Sequence, residues 1–252
     1  MDSRTPVSGD VEPLRYHDSR DQQYPYEYPP IDRADARHED AADDDDGKQK
    51  PLHRFLDICG GTLVQEAQDD PGLAAWLAGG QFKWQQVAAF RFQERASGVL
   101  NGSTVEQVYS CSLRIPEPAT RLPKSSLLSL YPLQGSRYPL MVINVHAINF
   151  ELGMAAYKQQ VTQVAKLTRK YQGPVIVAGD FNTWGDKRRV LLQNTMARYQ
   201  LQEASYQSDE RTRVAGLPLD HLFYRGLTLS QAEAVSSHGS DHNPLRLGFH
   251  YP

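Results

Sequence analysis

Only two cysteines, Cys59 and Cys111, occur in the 252 residues. Their separation gives neither the paired spacing of a zinc site nor the density of a disulfide framework, so a reducing compartment is the simpler expectation. Long apolar runs are also lacking. None approaches the roughly 18 residues that span a bilayer, and Met1 to Asp10 has no basic-then-apolar signal pattern. The expected location is the cytoplasm, with no membrane partner. Asparagine does not occur before Asn101. Aliphatic side chains are scarce in the first 50 residues, where Gln22-Gln-Tyr-Pro-Tyr-Glu-Tyr-Pro-Pro30 leads to an acidic run, Asp43 to Asp46. Such a segment cannot bury enough apolar surface to offset its ordering entropy. Residues 1–50 are therefore predicted to be disordered, with Asp43 to Lys48 a solvated charge run, and residues 51–252 to be one folded domain.

Hydrophobic content of 40% is enough for a real core. The net charge of -3 is unevenly spread, because residues 1–50 hold 14 acidic and 7 basic residues and the remainder 16 and 20. The body is mildly basic, which suits an anionic ligand without demanding one. From Leu52 onward, apolar runs bounded by turn residues recur. They predict strands at 62–66, 87–92, 126–131, 140–146, 175–178, 222–224 and 245–249, several of them continuous enough to be buried on both faces. Between His146 and Val175, the residues Met154, Tyr157, Val161, Val164, Thr168 and Tyr171 recur at helical spacing, and Gly173 and Pro174 then stop the helix. A second helix is predicted over 186–199, with Asp186 suiting its positive N-terminal end.

Chemistry concentrates at strand ends. Val175-Ile-Val-Ala-Gly-Asp-Phe-Asn182 is a buried strand that ends in Gly179 and at once presents a carboxylate and a carboxamide, although Gly-Asp-x-Asn alone also suits a turn. Ser240-Asp-His-Asn-Pro244 precedes the last strand. There Asp241 can bind a divalent cation while His242 contacts a phosphate. Asp220, opening a strand in Leu219-Asp220-His221-Leu222, can hold a histidine in one tautomer. His146 ends the strand in Asn144-Val-His-Ala-Ile-Asn149; by itself it would pass for a core or surface histidine.

With Leu63-Val-Gln-Glu66 added, these motifs stand in the order that resembles the endonuclease/exonuclease/phosphatase superfamily, and within it the YafD-like bacterial branch. The resemblance covers roughly residues 52–250. It implies an α/β fold in which two β-sheets form a sandwich flanked by helices, the DNase I-like four-layer arrangement. It implies Mg²⁺ or Mn²⁺ as cofactor, held by Glu66 with Asp241 on the opposite side, consistent with hard oxygen ligands. Asp180 would orient or deprotonate the attacking water, and Asn182 would hold a phosphate oxygen. His242, braced by Asp220, would neutralise transition-state charge, and His146 would serve the leaving group as an acid. Arg121 and Lys124, in Arg-Leu-Pro-Lys, are the expected substrate contacts, with a solvated loop as the alternative. A monomer acting on a phosphoester, nucleic acid among the candidates, is the partner expectation.

One family feature has no counterpart in the sequence. Members of the superfamily open with a strand that carries an asparagine, roughly 30 residues before the metal-binding glutamate, whereas residues 20–50 here are acidic and proline-rich. A missing strand would leave a neighbour's edge unpaired and remove one metal neighbour. Two other readings stay open. One is a calcineurin-like dinuclear site using His238, Asp241 and His242, disfavoured because the chain has no Gly-Asn-His and no early Asp-x-His. The other is a homologue that binds phosphate or nucleic acid without cutting it.

Overall fold

The computed structural model describes residues 60–68, 71–92, 95–237 and 240–252, all within the compact unit Lys50–Pro252. The segment expected to be disordered, the place where the family's first strand would fall, and His238 lie outside the described residues. Along the chain the elements are β1 (Gly61–Gln68), α1 (Pro71–Gly79), β2 (Lys83–Phe92), β3 (Arg95–Ser103), β4 (Tyr109–Pro116), β5 (Pro123–Tyr131) and β6 (Leu140–His146). They continue as α2 (Ala155–Leu167), β7 (Val175–Asp180), α3 (Asp186–Arg198), β8 (Gln202–Glu203), β9 (Ser208–Asp209), β10 (Arg213–Val214) and β11 (Leu217–Pro218). Then come β12 (Asp220–Arg225), β13 (Thr228–Ala234) and β14 (Leu245–His250).

A six-stranded sheet, ordered β4-β5-β6-β7-β12-β8, forms the centre. Its one parallel pair is β6 with β7, joined by α2 as a crossover, which a parallel pair requires. Side chains alternate across a strand, and that alternation divides the core. Met141, Ile143, Val145, Val175, Val177 and Phe223 face the helices, packing on Tyr157, Val161, Val164, Leu192 and Met196. Leu140, Val142, Ile176, Ala178, Leu222 and Tyr224 face the other way, onto Leu245, Leu247, Phe249 and Leu63. This is the α/β sandwich with outer helices that the motifs implied. Helix α2 starts where the buried Glu151 carboxylate accepts the N–H groups of Ala156 (3.0 Å) and Tyr157 (2.9 Å), satisfying donors that a helix N-terminus leaves open.

The second layer is divided. Among the described residues it consists of two three-stranded pieces, β1-β3-β2 and β14-β13-β9. β1 and β14 each pair on one side only, and residues Thr62 to Gln65 of β1 and Asn243 to Leu245 at the start of β14 line one cavity of about 470 Å³. Among the described residues, no strand lies between the facing edges of β1 and β14. Asn144 holds the first piece in place. Its Nδ2 donates to Val64 O (3.1 Å) and Leu100 O (3.0 Å), while its Oδ1 accepts from Gln65 Nε2 (2.9 Å).

Sequence patterning missed β3, β4, β13, α1 and the two-residue strands β8 to β11. In β3 the glycines hide the strand, and the tight packing explains one of them, since a Cβ at Gly98 would lie 1.9 Å from Val87 O. No described helix is long and apolar enough to cross a membrane.

Candidate active site

β6, β7 and β12 lie side by side in a register that places His146 opposite Asp180 and Asp180 opposite Asp220. All three residues have even numbers and point to the face between the layers. Neighbouring strands are about 4.8 Å apart, so one row across the sheet collects residues spread over 75 positions of sequence. Gly179 permits this closeness. Its φ is +143°, and a Cβ there would lie 2.0 Å from Val145 O, a clash no side chain could relieve.

Asp180 is buried and held at both oxygens by one neighbour: Asn182 N donates to Oδ1 (2.8 Å) and Asn182 Nδ2 to Oδ2 (2.9 Å). Burial, and then the nearby Asp220 carboxylate, push Asp180 up to about 7. His242 Nδ1 meets Asp220 Oδ2 at 2.8 Å. That hydrogen bond is the main reason His242 is raised to about 9, so the ring is an imidazolium at neutral pH. Asp220 and His242 both line the 470 Å³ cavity. Asp180, Asp220 and His242 each place a ligand-type atom within 4.8 Å of the others.

The placement bears on two expected roles. Asn182 is expected to hold a phosphate oxygen; here its carboxamide protons go to Asp180 and to Ala147 O (3.1 Å). His146 was expected to act as an acid, yet burial, Lys124 and His242 lower it to about 3. Its neutral ring has Nε2 2.7 Å from Lys124 Nζ, and an ammonium has only protons to offer there. Lys124 is therefore the nearest proton source, and Nε2 is the acceptor. The same nitrogen is 3.6 Å from Asp180 Oδ2 and 3.6 Å from Glu66 Oε1, which brings Glu66 to the site with an exposed side chain. Asp241 is exposed, with Oδ1 accepting from Ser240 Oγ at 3.2 Å, and it does not join Glu66 in a common ligand group among the described residues. Arg121 occupies an exposed turn at φ +61°.

Sequence reading missed Arg188, which is 2% exposed. Its guanidinium donates to Ile148 O (2.6 Å), Asn149 O (2.8 Å) and Asn182 O (3.2 Å) and lies over the rings of Tyr157 and Trp184. It ties the loop after β6 to the loop after β7. A basic residue in the first turn of a surface-patterned helix gives no sequence signal of burial.

The sandwich, with carboxylates and histidines gathered at one end of its central sheet, defines the phosphoesterase and nuclease class of fold. The chain belongs to the endonuclease/exonuclease/phosphatase family, whose pattern matches residues 35–242. It is 43% identical over 191 residues to a UPF0294 protein of Vibrio vulnificus, covering 75% of this chain and 67% of that protein. It is 42% identical over 187 residues to a UPF0294 protein of Yersinia enterocolitica, covering 74% and 72%. These are the YafD-like relatives that the motifs pointed to. Among solved structures, an endonuclease/exonuclease/phosphatase of Bacteroides vulgatus superposes with a TM-score of 0.60 at 15% identity, covering 76% of this chain and 85% of that one. The human Nocturnin catalytic domain superposes at 0.55 and 16%, covering 72% and 77%. A mannosyl-6-phosphatase of Bacteroides thetaiotaomicron does so at 0.54 and 14%, covering 71% and 82%. At such identities the likeness is one of fold.

Proposed function

We propose that this chain hydrolyses phosphoesters with the help of Mg²⁺ or Mn²⁺. The observation that carries the reading is the row of His146, Asp180 and Asp220 across three adjacent strands, closed by the Asp220–His242 hydrogen bond. The donor set suits a hard cation: Glu66 offers an exposed carboxylate beside His146, and Asp180 and Asp220 crowd buried negative charge that a cation would relieve. Glu66 would hold the cation, with Asp241 as the second expected ligand. When bound, it withdraws charge from a phosphate oxygen.

The remaining steps belong to side chains. Asp180, fixed at both oxygens by Asn182 and poised near neutral pH, accepts a proton from the attacking water. His242 has Nδ1 committed to Asp220, so its Nε2–H is the proton left to meet an anionic phosphate oxygen. The Lys124–His146 pair stands by the leaving group, with the ammonium supplying the proton that the neutral ring lacks. Phosphoryl transfer needs positioning and charge neutralisation more than covalent chemistry, and this site offers both.

The test is turnover of bis(4-nitrophenyl) phosphate, plasmid DNA and small phosphomonoesters by the full chain across a Mg²⁺ titration. Rate that appears with Mg²⁺ and disappears with EDTA supports the proposal. EDTA-resistant turnover refutes it. Binding of metal and phosphate with no turnover of any of these substrates would favour the binding-protein reading.

A further inference from the structure

The mechanism leaves one group of buried polar residues unused. Asp220 and His221 are consecutive on β12, so they point to opposite faces of the sheet. Asp220 faces the site. His221, 1% exposed, faces the helical layer, in edge contact with Phe181 and stacked near Phe223. Both of its nitrogens are engaged: Nε2 lies 2.7 Å from Thr183 Oγ1, and Nδ1 lies 2.6 Å from Glu203 Oε1.

Proton accounting gives this chain a direction. The Thr183 hydroxyl has one proton, and its other partner, Pro218 O, can only accept. The hydroxyl therefore donates to Pro218 O and accepts from His221, which makes Nε2 a donor. Glu203 keeps the other end of the ring in place, and is itself held by Gln193 Nε2 at 2.9 Å and by Arg211, 3.7 Å away. Arg211 also donates to Asp220 O at 3.1 Å.

Thr183 directly follows Asn182, whose φ of +49° is one that side-chain-bearing residues seldom adopt. Asn182 holds both oxygens of Asp180, and Phe181 N donates to Leu219 O at 2.9 Å. We infer that Glu203, His221 and Thr183 form a positioning relay that locks the turn 180–183 against β12, so that the Asp180 carboxylate is held in line for reaction by residues that never touch substrate. This role rests on the hydrolytic reading of the same site, and nothing in the motifs or relatives assigns it.

Thr183→Val removes the hydroxyl while keeping shape, and Thr183→Ser restores it. Outer-shell groups of this kind are worth about 10- to 100-fold in activity. With bis(4-nitrophenyl) phosphate and Mg²⁺, Thr183→Val should lose that much kcat with KM within about twofold, and Thr183→Ser should regain most of it. Glu203→Gln, which keeps an acceptor but loosens the ring, should fall between. Circular dichroism checks that each variant is folded. A second readout needs no turnover: hydrogen exchange of the segment 175–190 should speed up in Thr183→Val and return to the parent's rate in Thr183→Ser. Parent-like kcat and exchange in Thr183→Val, or a Thr183→Ser protein as impaired as Thr183→Val, would overturn the relay. If the parent turns over no phosphoester, the hydrolytic reading fails, and the exchange rates alone then decide whether the turn is locked in this way.

Discussion

Replacing Asp180 with asparagine should destroy activity and at the same time stabilise the metal-free protein. A buried carboxyl raised from 3.8 to about 7 keeps its proton in the folded state at pH values where the unfolded chain releases it. Folding is therefore penalised increasingly as pH rises from about 4, and the penalty levels off above about 7. The shift of about 3 units corresponds to roughly 4 kcal/mol as an upper figure at 1.36 kcal/mol per unit. Asparagine removes that penalty but sets its amide against Asn182 Nδ2, now donor to donor, which returns about 1 to 3 kcal/mol. A net gain of about 2 kcal/mol remains, or about 4 to 8 °C in Tm for a unit of this size. The assay is thermal or urea unfolding of parent and Asp180→Asn at pH 8 and pH 4 in EDTA, beside initial rates with Mg²⁺. The variant should be the more stable at pH 8 and the less stable at pH 4, where only the donor clash of about 1 to 3 kcal/mol remains, while its rate falls by about 100- to 10,000-fold. A variant less stable than its parent at pH 8, or a difference that does not change with pH, would refute the electrostatic account of Asp180.

The pH–rate profile should be bell-shaped, its acid limb near 7 from Asp180 and its alkaline limb near 9 from His242. Asp220→Asn should move the alkaline limb down toward the ordinary histidine range, which rates measured from pH 6 to 10 would show. The raised His242 also contributes stability that is complete below about 6.5 and lost as pH rises through about 9, so the unfolding midpoint of the parent should fall relative to that of Asp220→Asn as pH rises from 7 to 10. Arg188→Met should cost about 3 kcal/mol or more in urea unfolding, because three carbonyls lose their donor. Gly179→Ala should fail to fold or lose at least about 4 kcal/mol, given the 2.0 Å approach to Val145 O; a stable, active Gly179→Ala would show that the β6–β7 spacing is not as tight as found.

How much was legible in the chain follows from the range of each physical signal. The continuous apolar runs of β5, β6, β7 and β14, the helical spacing through α2, and α3 opening at Asp186 are local patterns. Each matched its element to within a few residues. The residues at strand ends were legible for a related reason: apolar runs that stop abruptly in Gly-Asp-x-Asn or Asn-x-His put polar groups where the sheet meets open space. Family order supplied Glu66 and the pairing of Asp220 with His242. Elements without a local signature went unseen. β3 carries two glycines and a buried Asn101, and α1 has apolar and small residues all round and hence no clear face. What only the tertiary structure decided was adjacency. Nothing within a few residues of His146 says that β7 will lie beside β6 and β12 beside β7, or that Lys124 will reach the ring from 22 positions away. Burial of Arg188 and the meeting of β1 and β14 at one cavity likewise depend on which segments, distant in sequence, come to share one surface. Local spacing specifies a residue's face on its own element; the packing of elements specifies what that face meets.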